Sequence, residues 1–113
     1  MPLKTADSSG SSYSTLINAA TKYATDHGDK VINLSMGGYH DDTYQRQGIE
    51  YAISHGVTVV AAAGNDNVDI SKKFFSPACI NGVVTVAAVA DNNQKAKFSN
   101  YGNGIIDIAA PGV

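Results

Sequence analysis

The chain has 113 residues, enough for one small domain, and with 43% hydrophobic and 16% charged residues it is not a disordered segment. A formal net charge of −2, a pI near 5.8 and no run of Lys or Arg argue against nucleic acid or an anionic membrane as partner. No apolar run reaches the length of a membrane span, the opening MPLKTADSSG lacks a signal peptide's apolar core, and a lone cysteine, Cys79, precludes an internal disulfide.

In chain order, LKTAD (3–7) predicts a short strand and SSGSS (8–12) a polar loop able to cap a helix. Tyr13, Leu16, Ile17, Ala20, Ala24 and His27 recur at three- and four-residue spacing, which predicts a helix from Tyr13 to His27 with Gly28 at its C′ position. VINLS, Val31 to Ser35, reads as a buried strand, and MGGYHDD as the loop after it. Asp42 suits the N-cap of a second helix, Thr43 to His55, closed by Gly56. The apolar run VTVVAAA, bounded by Gly56 and Gly64, predicts a strand at Val57 to Ala62 covered on both faces. A long polar loop, DNVDISKKFFSPACING, follows. Val83 to Val89 is the next strand, DNNQ a turn, AKFSNYG a short strand and bend, and IIDIAA a last strand before Pro111. Strands alternating with helices imply right-handed crossovers and a mainly parallel sheet of the α/β class. The first helix and the strands at 31–35, 57–62 and 83–89 are the expected core. Cys79 reads as a small semi-buried side chain, since a catalytic thiol needs a histidine and none is close in sequence.

In such sheets ligands bind beyond the carboxyl ends of the strands, where SMGG and AGND lie. Gly37 and Gly38 let the backbone approach a ligand, and exposed main chain there suits pairing with an extended peptide. Ala61, Ala62 and Ala63 are poor strand formers, sensible if something must lie close against them. Small side chains at Ala62, Ala63 and Gly64 leave room for a pocket, and the Asn65 amide can donate to charge developing on a carbonyl oxygen.

The blocks VINLSMGG, GVTVVAAAGND, SPACINGVVTVAAV, KFSNYG and DIAAPGV occur in this order, at closely matching spacing, in subtilisin-like serine proteases. The chain resembles that family from about Leu3 to Val113, departing by an extra residue between Gly102 and Asp107. The resemblance implies a three-layer subtilisin-like α/β fold with a mainly parallel sheet, residues 1–113 being a partial domain from the centre of the catalytic domain. It implies that Asn65 is the side-chain donor of the oxyanion hole. Ala62, Ala63 and Gly64 match one wall of the pocket for the residue before the scissile bond, and Ser35, Met36, Gly37 and Gly38 the opposite wall. Ser9, Gly10 and Ser11 match the strand along the substrate's other side, with Tyr13 near a more distant pocket. Ser76, Pro77 and Ala78 match a third pocket segment, with a cis bond expected at Ser76–Pro77. Asp107, with backbone carbonyls near Asn81 and Val83, matches a cation site of some relatives, and one carboxylate with backbone oxygens suits Ca²⁺. A surface-paired carboxylate is the alternative, and the chemistry itself requires no cofactor.

By the same resemblance, the family's Asp and His motifs fall before Leu3 and its Gly-Thr-Ser-Met-Ala motif beyond Val113. His27 and His55 precede helix-closing glycines, where a cation suits the helix dipole, and His40 sits beside Asp41 and Asp42; none reads as a general base. The expected function is therefore a portion of a serine endopeptidase, supplying substrate-binding strands, pocket walls and the oxyanion Asn, and inactive alone. Its partner would be a peptide or protein substrate, its parent extracellular or at the cell surface. The isolated chain, with strand edges and apolar faces uncovered, is expected to self-associate or exchange elements. The alternative is a catalytically dead subtilisin-like module that grips extended peptides. A nucleotide-binding domain is disfavoured, because neither G-x-G-x-x-G nor a P-loop is present.

Overall fold

A computed structural model describes residues 1–113. The elements are α1 (Ser14–Asp26), β1 (Val31–Leu34), α2 (Thr43–Ser54), β2 (Thr58–Ala62), β3 (Val84–Val89) and β4 (Ile108–Pro111). The strands form one sheet in the order β1-β2-β3-β4. β2 and β3 are parallel with Val60 opposite Val84, and β3 and β4 are parallel with Val86 opposite Ile108. The expected α/β class and parallel sheet are therefore present. The chain divides into two compact units, residues 1–32 with 42–59 and residues 33–41 with 60–113.

The first unit is a helix pair. Ile17, Thr21 and Ala24 make the buried stripe of α1, and Gln45, Gly48, Ile49 and Ala52 that of α2. A side chain at Gly48 would meet the Asn18 Cα at 2.9 Å, so glycine there lets the helices close. Fully burying Ile49 contributes about 1.5–3 kcal/mol. Both helices end in a Schellman motif. The Gly28 and Asp29 N–H groups bond the Thr25 and Ala24 carbonyls, and the Gly56 and Val57 N–H groups bond those of Ile53 and Ala52. Asp42 caps α2 as expected, its carboxylate accepting from the Gln45 N–H at 3.0 Å. SSGSS does not cap α1, whose N-cap is Tyr13 with no side-chain bond. LKTAD forms no strand, only a bridge between Ala6 and Ser12. Asp7 turns the chain instead, taking the Ser9 and Ser11 N–H groups at 2.8 and 3.1 Å.

In the second unit, Ala63, Ile70, Phe75, Ala78 and Ala87 form a core cluster, with Tyr39, Cys79, Ile105 and Ile106 packed against it. Much of this core comes from the long loop after β2, which is polar in composition but buries Ile70, Phe75, Ala78 and Ile80. Cys79 is half-buried, accepting from the Phe75 N–H at 3.4 Å and donating to the Ile70 carbonyl at 3.5 Å. AKFSNYG is irregular apart from a single bridge at Tyr101, and Ile105 and Ile106 precede β4 outside any strand.

Neither β1 nor β2 is covered on both faces. β1 is an edge strand with Val31 60% exposed and only Leu34 buried. In β2, Val59 and Ala61 are buried while Val60 and Ala62 are half-exposed. Val60 and Ala62, with Val86, Ala88 and Ala110, line an open depression of about 240 Å³. That half-wet apolar face predicts self-association of the isolated chain. Static light scattering is expected to give an apparent mass that rises with concentration; a monomer mass at all concentrations would contradict this.

Candidate active site

Within the second unit a cavity of about 290 Å³ opens where the carboxyl ends of β1 and β2 release their loops. Ser35, Met36, Gly37, Gly38 and Tyr39 line one side, and Ala62, Gly64, Asn65, Asp66 and Phe75 the other. Of the expected site residues, the cavity thus joins Ser35–Gly38 with Ala62, Gly64 and Asn65.

The 36–38 segment is held from below. The Gly38 N–H donates to the Ser76 carbonyl and the Ser76 N–H to the Gly38 carbonyl, each at 2.9 Å. Met36 and Gly37 enter none of the loop backbone hydrogen bonds, so their N–H and C=O groups remain available to an extended partner. A Cβ on Gly37 would lie 2.5 Å from the Phe75 ring and 2.6 Å from the Ser76 carbonyl, so only glycine fits there.

Gly64 has φ +103, and a side chain on it would collide with the Asn100 amide and with the Phe75 ring at 2.9 Å. The next residue, Asn65, is exposed, and its side-chain amide makes no hydrogen bond within the chain. A primary amide has two N–H donors, and here both remain available at the cavity edge.

Two of the expected wall segments lie outside the cavity lining. Ala63 does not face the cavity; at 2% exposure it belongs to the core, because strand alternation turns it opposite to Ala62. Ser76, Pro77 and Ala78 are buried beneath the cavity rather than lining it, and Phe75 takes the lining position. The Ser76–Pro77 bond is cis, as expected. Ser9, Gly10 and Ser11 lie in the first unit, in the turn closed by Asp7, with Tyr13 exposed after them. His27 and His55 sit at helix C-caps, each Nδ1 within 2.8 Å of the carbonyl four residues back.

Four residues of the site have no assigned role in the sequence reading: Tyr39, Asp66, Phe75 and Asn100. Tyr39 meets Phe75 edge-on at 4.9 Å between centroids, and Lys73 Nζ lies 4.2 Å from its ring centre. Its hydroxyl donates to Asp66 Oδ2 at 2.7 Å and accepts from Asn100 Nδ2 at 3.1 Å. Burial, and then the bond to Asp66, raise the phenol's pKa, so it stays a neutral donor. Asn100 is fully buried inside KFSNYG, a block that marks the family resemblance without suggesting burial.

Asp107 lies on a separate cavity of about 420 Å³ that also touches Asn81 and Val83. One of its oxygens accepts the Thr85 N–H at 2.8 Å, and no group of three or more His, Cys, Asp or Glu side chains gathers there. Ca²⁺ takes six to eight oxygens, so a single, partly engaged carboxylate is a poor fit and calcium enters no step below.

The whole chain, residues 1–113, matches the family model described as the subtilase family. Thermitase of Thermoactinomyces vulgaris is 38% identical over 112 residues, covering 99% of this chain and 39% of thermitase. The extracellular serine proteinase of Thermus sp. (strain Rt41A) is 40% identical over 113 residues, covering 98% of this chain and 27% of that protein. Among solved structures, a cold adapted subtilisin-like serine proteinase is similar with a TM-score of 0.86 and 30% identity, over 96% of this chain and 39% of that one. The chain thus spans between 27% and 39% of the length of these relatives.

Gly64→Ala combines a left-handed backbone with two steric overlaps and is expected to destabilise the protein by about 2 kcal/mol or more. Urea denaturation reads this directly, and an unchanged midpoint would contradict the packing described.

Proposed function

The chain belongs to the subtilase family, and from that premise we propose that it is the substrate-gripping and oxyanion-facing portion of a serine endopeptidase. In this reading the Asp, His and Ser of the triad come from outside these residues, and the 113 residues alone do not cleave peptides.

The observation that carries the proposal is the Asn65 amide. It is exposed at the cavity edge, unengaged by the protein, and one residue beyond a glycine that nothing larger can replace. Attack on a peptide carbonyl converts a neutral oxygen into an oxyanion. A donor already aimed at that point stabilises the charge without reorganising when it forms. An amide that the fold has left unpaired loses no internal bond in doing so. The same cavity accommodates the peptide. Met36 and Gly37 offer free main-chain groups for antiparallel pairing, which fixes the register of the scissile bond. Ala62, Gly64 and the Phe75 ring wall the space for the preceding side chain, and the half-buried Met36 favours an apolar occupant. A parent working outside the cell is supported by the relative named an extracellular serine proteinase.

In the full-length protein carrying this segment, Asn65→Ala is expected to lower kcat on a peptide substrate by about 10²–10³, a magnitude that comes from subtilisin itself, with KM little changed. Equal kcat for both proteins would remove Asn65 from the chemistry. Saturable peptide binding by a full-length protein that never cleaves would instead favour a catalytically dead, peptide-binding member of the family.

A further inference from the structure

We infer that Asn100 is the positioning residue for Asn65: its buried amide fixes the backbone on both sides of the proposed oxyanion donor. The inference rests on the reading of Asn65 given above and adds a second residue, 35 positions away in sequence, through which that donor acts.

Nothing within the chain holds the Asn65 side chain, so its aim is set by the main chain around it. That main chain has left the sheet. The last ladder bond on this side is the Ala63 N–H to the Val86 carbonyl at 2.9 Å. From there to Val68, Asn100 engages four backbone groups. Its Nδ2 donates to the Ala63 carbonyl at 2.9 Å, and its own N–H donates to the Gly64 carbonyl at 2.9 Å. Its Oδ1 accepts the Asp66 N–H at 3.0 Å and the Val68 N–H at 2.9 Å. Asn65 therefore sits between two residues that are each bonded to Asn100. The remaining Nδ2 hydrogen goes to the Tyr39 hydroxyl, which in turn donates to Asp66. All four hydrogen-bonding positions of the amide are thus used, and at 0% exposure no water competes for them.

Asparagine alone meets these demands. Aspartate offers the acceptor but no donor for Ala63, leucine offers neither, and glutamine adds a methylene where the side chain is already fully enclosed. Catalytic donors must be held to within about half an ångström, and this anchoring supplies that constraint from below the groove.

The test is a double-mutant cycle in the full-length protein that carries this segment. Asn100→Leu is expected to lower kcat about 10²-fold, the cost of a donor misplaced by roughly 1 Å, with KM changed by no more than about twofold. Asn100→Asp, which keeps the acceptor, should fall between Leu and wild type and serves if the Leu variant does not fold. Combined with Asn65→Ala, either substitution should cost little further, because the group it aims is gone. Losses that multiply in full would overturn the inference. If Asn65→Ala alone leaves kcat unchanged, the oxyanion reading has failed and amide hydrogen exchange decides the anchoring. Faster exchange at Asp66 and Val68 with β3 still protected upholds Asn100 as the anchor of this loop. A uniform rise across the sheet reduces it to a general structural residue and overturns the inference.

Discussion

Where β2 runs out, its chain must turn without a neighbouring strand to take its N–H and C=O groups. A buried backbone group left unpaired costs about 1–3 kcal/mol, so such a turn persists only if something satisfies it. Here one side chain does, the Asn100 amide, engaging Ala63, Asp66 and Val68, while its own N–H engages Gly64. The rest of the site follows from that constraint. Gly64 is glycine because the amide and the Phe75 ring occupy the space of its side chain. Tyr39 faces the groove because its hydroxyl closes the network between Asn100 and Asp66. Phe75 packs against Tyr39, and Gly37 is glycine because Phe75 lies there.

The arrangement separates rigid from free groups. Beneath the groove the Asn100 amide is bonded to the Tyr39 phenol, and Gly38 is bonded through its backbone to Ser76. Above it the Met36 and Gly37 main chain and the Asn65 amide are uncommitted. A site that recognises an extended peptide and stabilises developing charge needs both. Donors fixed in advance reorganise little during the reaction, and donors not already bonded internally have their full capacity for the substrate. In the proposed reading, proteolysis would use this combination.

Much of the scaffold was legible in the sequence because its signals are local. Helix ends were readable from Gly28, Asp42 and Gly56, since capping involves residues only a turn apart. Strands were readable as short apolar runs, but not their exposure, which depends on place in the sheet. Val31 lies on an edge strand and is mostly wet. LKTAD misled because the Asp7 carboxylate competes for backbone N–H groups that a strand would use. The loop after β2 looked polar because Ile70, Phe75, Ala78 and Ile80 follow no helix or strand period, although they bury in the core. Within the site, Asn65 and the glycines were readable from position at strand ends. Ala63 is buried in the core while Ala62 lines the cavity, an alternation that three consecutive alanines do not reveal. Asn100 stayed hidden because asparagine is mostly exposed and its partners are distant in sequence.

The most direct measurement is a crystal structure of the full-length protein with a peptide boronic acid bound, whose tetrahedral boron stands in for the intermediate. The Asn65 Nδ2 is expected about 2.7–3.1 Å from the boronate oxygen in the oxyanion position, with the peptide main chain paired to Met36 and Gly37. Asn65 turned to solvent while other donors hold that oxygen, or a protein that forms no adduct, would contradict it.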